Sequence, residues 1–364
     1  MAQAPAHAAL DLLSLGSPLL LTLAVAISGA ILLAVALARR VRAPQPGVRA
    51  HVTALYCFPV KSCAGIALEE AKLDECGIEH DREWVVVRAP TSDDECAQIV
   101  TIREYASMVH IVPSFGPGGE LKLSTPDGKS ITVSQPPGAR SIEVLVWRTR
   151  CHGLDQGPEA ARFLTAFLDC PERPVLLLRM TSPLTRALKA CSKYEYAPAT
   201  MGTDGGGVGR FQDWGQFNLL SAASLRWLNT RVAGGAYTAL HFRPNIVVDL
   251  EGRSSPFEED SWERYSVGNV GFQFLKHTGR CMVPTVHPQT AERDRRLEPL
   301  ITLKRERGGI YDFLPAEHAN SETKEAFFAV GARHFFEPGQ RLRVGDVVFV
   351  SEFRNAKLVP PPRT

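Results

Sequence analysis

The longest apolar run of the chain lies near its amino-terminal end, where no residue from Leu12 to Ala38 carries a charge. Its part beyond Pro18, Leu19 to Ala38, would as a helix rising about 1.5 Å per residue reach roughly 30 Å, the thickness of a bilayer's hydrocarbon core. Arg39, Arg40 and Arg42 follow at once, and no Lys or Arg precedes the run. The positive-inside bias then puts the carboxy-terminal part on the cytosolic side. Residues 1–42 are therefore predicted to be a membrane anchor in contact with the lipid bilayer. The alternative is a cleaved signal peptide, since Ala36-Leu37-Ala38 resembles a cleavage site, but a basic n-region is missing and the run exceeds an ordinary h-region. A proline-bearing linker, residues 43–50, detaches the segment from the rest.

Beyond the linker the period shortens. His51 to Val60 alternates polar and apolar residues, is rich in β-formers and predicts a strand ending at Pro59. Similar signatures at 84–88, 99–102, 108–112, 121–124, 130–133 and 141–147 make residues 51–180 a β-rich first domain. Thr125-Pro126-Asp127-Gly128 predicts a hairpin, because Asp-Gly tolerates positive φ. Residues 159–168 are apolar at helical spacing, Pro171 stops that helix, and a strand-like stretch follows at 175–179. The glycine-rich stretch 200–210 lacks the Lys-Ser/Thr ending of a phosphate loop and reads as a mobile connection within 181–210. In residues 211–355, Ser221 is placed to cap a helix over 222–232, and 296–304 is predicted to be partly helical. Short strands near 245–249, 270–276, 281–286, 334–335 and 341–350 predict a closed or partly closed β-barrel, with Gly345-Asp346 turning one of them. The expected class is α+β, β-rich.

With 364 residues the chain can hold two domains and a substantial core. Its 41 basic residues nearly cancel 39 acidic ones, and the net charge of +2 gives no electrostatic ground for a nucleic-acid partner. The eight cysteines are unevenly spaced, with no Cys-x-x-Cys pair and no complementary His pair. That pattern argues against a disulfide framework and structural zinc, and for a reducing compartment.

Candidate chemistry concentrates between Thr278 and Pro288, where Arg280 stands next to Cys281. A thiol ligates or attacks as thiolate, and an adjacent guanidinium favours that anion. Taken alone, a free cysteine reads as a small buried hydrophobe. Its company changes the picture: Lys61-Ser62 follow a strand end, Arg82 precedes Trp84, and Arg243 is wedged between Phe242 and Pro244. Ammonium point charges and planar guanidinium forks both serve phosphate-like anions. Singly, each basic residue reads as a solvated surface charge; gathered by loops, they would make an anion site beside Cys281.

Tyr56-x-Phe58-Pro59-Val60-Lys61-Ser62-Cys63-x-Gly65, Asp81-Arg82-x-Trp84, His241-Phe242-Arg243-Pro244-Asn245-Ile246-Val247, Arg280-Cys281 and Val344-Gly345-Asp346 follow one another between Val52 and Phe349. In these motifs and their order the chain resembles the molybdenum-cofactor-sulfurase carboxy-terminal (MOSC) family, and within it the amidoxime-reducing components of mitochondria. The anchor matches too. The resemblance implies a MOSC N-terminal β-rich domain and a MOSC β-barrel domain. It also implies a molybdenum-molybdopterin cofactor (Moco) whose metal takes the Cys281 thiolate, a soft ligand suited to it. Lys61, Ser62, Arg82, Arg243, Gly279 and Arg280 would hold the pterin and its phosphate. The implied reaction is reduction of N-hydroxylated compounds such as amidoximes, with electrons from NADH through cytochrome b5 reductase and cytochrome b5. The implied location is the mitochondrial outer membrane, with the endoplasmic reticulum as the alternative. The chain departs from the family at Trp214-Gly215, where animal members carry Thr-Ser, and at Gly279, where they carry serine; His334 falls near a family tyrosine.

Two other readings use the same residues. Cys281 could carry a persulfide to an acceptor, or a membrane-tethered barrel could bind a small anion without catalysis.

Overall fold

A computed structural model describes residues 46–354, apart from 93–94, 147–148, 189–206, 214, 250–254 and 310–324. The predicted anchor lies outside the described residues, among which no helix is long and apolar enough to cross a membrane.

In chain order the principal elements are β1 (Gly47–Cys57), β2 (Trp84–Arg88), β3 (Ser141–Val146), β4 (Thr149–Asp155), α1 (Pro158–Phe167) and β5 (Val175–Arg179). There follow β6 (Phe217–Ser221), α2 (Ala222–Arg231), β7 (Ile246–Asp249), β8 (Trp262–Val267), β9 (Val270–Arg280), α3 (Leu300–Arg307), β10 (Glu325–His334) and β11 (Val347–Phe353). Seven strands form a barrel in the order β6-β7-β1-β11-β8-β9-β10, closed where β10 pairs with β6, Phe217 opposite Ala332. The first described strand is thus an inner stave of a barrel otherwise built from the second half of the chain. Its buried residues, Ala50, Val52, Leu55 and Cys57, change phase after Val52 because β1 slips register against β7 between Val52 and Ala54. A bulge inserts one residue and so re-aims the inward face. Leu219, Ile246, Val267, Phe272, Val330 and Val348 complete that interior.

β6 and β7 run parallel, Leu219 opposite Ile246, so the chain must cross over between them. α2 makes the crossing, and the Ser221 side chain accepts the Ala223 amide as the capping signal predicted. A separate antiparallel sheet, β2-β5-β4-β3, shares a second core with α1 in which Val86, Met108, Leu164 and Leu177 are fully buried. The hairpin forms as expected, Leu121–Ser124 against Ser130–Thr132, with Gly128 at φ 80°.

Several expected strands differ. Ile99 only bridges Val87, and the 108–112 stretch divides into a 3-10 turn, Ala106–His110, and a strand, Val112–Phe115. β9 stops at Arg280, and Val283–Thr285 form a 3-10 turn because Pro284 has no N–H to give a ladder. β10 is far longer than 334–335, and the 341–350 stretch breaks at Gly345, φ 92°, into Arg341–Arg343 and β11. The described tail of the glycine-rich stretch is not loop throughout: Val208–Gly209 pairs with Arg186–Ala187.

Candidate functional site

Four backbone segments meet at one end of the barrel. The loop after β1 and the turn before β2 are stitched by Lys61 N–H to Trp84 O (2.8 Å), Arg82 N–H to Phe58 O (2.9 Å) and Trp84 N–H to Pro59 O (3.0 Å). The turn before β7 joins them through Tyr56 N–H to Asn245 O (2.9 Å), and the end of β9 supplies the fourth wall. Between them lies a cavity of about 180 Å³ lined by Lys61, Ser62, Arg82, Arg243, Gly279, Arg280 and Cys281, so each residue expected to hold the cofactor reaches it. Ser62, Arg82 and Arg243 sit at φ 73°, 49° and 51°. Left-handed backbone at non-glycine residues costs energy and persists where surrounding contacts enforce it.

Those contacts centre on a ring the sequence reading did not single out. The guanidinium carbons of Arg82 and Arg243 lie 4.4 Å and 4.3 Å from the centre of buried Phe58. Arg82 donates to both oxygens of Asp81 (2.6 Å each) and to Arg243 O (3.1 Å), while Asp81, fully buried, also accepts the Phe58 amide (2.8 Å). Arg243 donates through Nη1 to Cys63 O (2.7 Å), and its buried Nη2 has no partner among the described residues. Burial, with Arg82 alongside, pushes the Arg243 pKa down to about 9: charge is held there without enough acceptors. Burial likewise lowers Lys61, whose ammonium donates to Phe211 O (2.8 Å) and pairs with Asp213. The charged lining is Lys61, Arg82, Arg103, Arg243 and Arg280 against Asp213 alone among the described residues. Such a surplus suits an anion.

Arg280 works as a fastener. It donates to Phe328 O (2.7 Å), Phe242 O (3.0 Å) and Asn218 Oδ1 (3.4 Å), tying the end of β9 to β10 and to the turn that carries Arg243. Asn218 completes the knot: its Nδ2 donates to Phe242 O (2.9 Å), its Oδ1 accepts from Thr278 Oγ1 (3.1 Å), and its backbone N–H donates to Asn245 Oδ1 (3.1 Å). Cys281 follows, exposed, at the cavity edge. Cys57, Cys63, Cys76, Cys151 and Cys170 are buried and Cys96 is half-buried, so among the described residues one thiol alone is both open and in the cavity. Gly215 lines the cavity and Trp214 lies outside the described residues. His334 is turned away, its ring nitrogens facing Gln216 Oε1 (2.9 Å) and Asp74 O (3.0 Å). Asp81 carried no signal of its own in the sequence, since it stands in the polar run Glu79-His80-Asp81-Arg82-Glu83.

Comparison with known proteins gives two domain matches, the MOSC N-terminal beta barrel domain over residues 49–171 and the MOSC domain over residues 207–349. Mitochondrial amidoxime-reducing component 1 of Mus musculus is 30% identical over 320 residues, covering 86% of this chain and 84% of its own. The chain belongs to the MOSC family. Within that family, mitochondrial amidoxime reducing component 2 of Bos taurus is also 30% identical, covering 85% of each chain. The molybdenum cofactor sulfurase of Solanum lycopersicum is 25% identical, covering 78% of this chain and 35% of the sulfurase. The two MOSC matches share the barrel, since β1 belongs to the first and its neighbours β7 and β11 to the second.

Proposed function

We propose that this MOSC protein reduces N-hydroxylated compounds, amidoximes among them, with a molybdenum-molybdopterin cofactor held in the cavity at Cys281. One observation carries the reading: an open thiol borders a cavity whose walls, among the described residues, hold five cations against one carboxylate and a buried Arg243 Nη2 with no partner. The residues fit such a group. A pterin phosphate would supply an acceptor for Arg243 Nη2; Lys61, Ser62, Arg82, Gly279 and Arg280 would hold the remainder, and the Cys281 thiolate is a soft ligand for the metal. When bound, the cofactor supplies two-electron redox chemistry. The chain's own part is positional: Phe58 with Asp81 fixes two guanidiniums, and Arg280 with Asn218 fixes the strand end from which Cys281 projects. In the overall reaction the N–O bond breaks, two electrons and two protons are taken up, and water leaves.

The names of the relatives support a mitochondrial site of action. The proposal extends to the outer membrane as location, Leu19 to Ala38 as anchor, and NADH, cytochrome b5 reductase and cytochrome b5 as electron source. Tethering all three proteins to one surface would raise their effective concentration for electron transfer.

The test is Cys281→Ala. Metal analysis of the purified variant is expected to give little molybdenum, and benzamidoxime reduction in a reconstituted NADH–cytochrome b5 chain to fall to background. Molybdenum content and turnover equal to the parent would overturn the assignment. Similarity to the tomato sulfurase favours a second reading, Cys281 as a persulfide carrier. A parent protein with cyanide-labile sulfur and no stoichiometric molybdenum would select it.

A further inference from the structure

The outer face of the barrel carries an apolar row that the cavity chemistry does not use. On it Val48 stands opposite Phe349, Phe349 opposite Ser266, and Ser266 opposite Gly271, crossing β1, β11, β8 and β9 in register. Phe335 continues the row: its N–H donates to Gly271 O (2.9 Å), and its ring occupies the space above Gly271, where a Cβ would come within 3.2 Å. Two small residues between large rings leave Phe349 and Phe335 standing proud. Val48 is 50% exposed, Phe349 and Phe335 are 42% exposed each, and neighbouring Val347 is 40% exposed. Outward positions on one wall of a barrel are ordinarily polar, and a contiguous apolar row marks a contact surface.

Two features say what covers it. The arginines beside the row, Arg264, which pairs with Glu352 (3.3 Å), and Arg333, which donates to Gln273 Oε1 (2.9 Å), have their guanidiniums 5.9 Å and 5.5 Å from the Phe335 ring. Aromatic rings with arginines at their margin suit the level of anionic lipid headgroups. The chain also enters the folded unit at Pro46, two residues before Val48, and residues 39–45, seven in number with three arginines, separate it from the uncharged run. Seven extended residues span at most about 25 Å.

We propose that this face, Val48, Val347, Phe349 and Phe335 with Arg264 and Arg333 at its edge, lies against the surface of a lipid bilayer. The proposal rests on Leu19 to Ala38 being embedded in that bilayer, which is read out separately below.

The experiment places p-benzoylphenylalanine at Phe349, at Phe335 or, as control, at Leu145, an exposed residue (44%) of the separate sheet. Each full-length protein is reconstituted into phosphatidylcholine vesicles containing phosphatidylserine, floated and irradiated. Flotation reports the anchor. Lipid adducts at 349 and 335, several-fold above those at 145, are the expected result. Floated protein with no adduct at either position, or with as much at 145, overturns the proposal while leaving the anchor intact. Covalent dimers from 349 or 335 overturn it in favour of a second copy of the chain, and a chain that does not float overturns both.

Discussion

Phe58 is the residue on which the geometry of the cavity turns, because its ring seats Arg82 and Arg243 and its amide is held by Asp81. Gly65 lies against that ring: a Cβ there would come within 2.5 Å of Phe58 Cε1. Gly65→Ala is expected to lower stability by about 2 kcal/mol through overpacking and to reduce molybdenum content, as read from denaturant midpoints and metal analysis. Asp81 and Asp213 make a sharper contrast. Asp81 is fully buried against Arg82, so Asp81→Asn leaves buried positive charge uncompensated and should cost about 3 kcal/mol in chemical denaturation. Asp213 pairs with Lys61 but is 48% exposed, and Asp213→Asn should cost about 0.5 kcal/mol or less. Adjacency marked Arg280 and Cys281 as candidates, and both line the cavity, but it did not show that the Arg280 guanidinium is taken up by Phe328 O, Phe242 O and Asn218 Oδ1. Phe58 stood in its motif without a role, since nothing in one dimension brings Arg82 and Arg243 to a single ring.

At the scale of elements, β9 delivers the site and also carries a buried titratable group. It slips register against β10 between Phe274 and Lys276 and again between His277 and Gly279, and bulges of this kind re-aim the residues that follow. Burial, with Arg354 and Arg307 nearby, pushes the His277 pKa down to about 3, and burial with His287 alongside pushes His241 to about 4. Between those values and the ordinary 6.5 the unfolded chain binds protons that the folded chain does not, so stability rises with pH in that window. The contribution of the neutral rings is therefore full above about pH 6.5 and lost as pH falls toward 4 and then 3. Glu259, raised by burial beside Asp260, acts in the opposite sense: its contribution is present at acid pH and fades as pH rises. The His334 pKa is lowered in the same way, to about 4, and those of Glu258, Asp260 and Glu263 are raised along with Glu259, so the test is a difference: between pH 5 and pH 7.5 the urea midpoint should gain less in His277→Gln than in the parent. The period-2 pattern of β1 and the Ser221 cap could be read beforehand because each depends on neighbours in sequence. The bulges could not, since a register slip exists only between two paired strands.

For the whole molecule the decisive fact is that β1 closes the barrel between β7 and β11. A fragment beginning at Gly207, although it spans the MOSC domain match, lacks that stave and leaves the facing edges of β7 and β11 unpaired. It is expected to be aggregated or without cooperative melting by circular dichroism, and addition of residues 46–68 as a separate peptide should restore a sharp transition. A fragment that melts cooperatively by itself would contradict this. By itself the sequence determined the β-rich class, the hairpin at Asp127-Gly128 and the helices after Gly157 and Ser221, and it offered as candidates the thiol and four of the five cavity cations among the described residues, missing Arg103. All of these follow from periodicity, capping and functional-group chemistry carried by adjacent residues. Only the tertiary structure decided that Lys61, Arg82, Arg243 and Cys281 share one cavity, that Asp81 and Phe58 hold it in shape, and that strand β1 belongs with the far half of the chain. The physical reason is that closing a barrel is a pairing between distant segments, selected by mutual burial and backbone hydrogen bonding that no single stretch can specify alone.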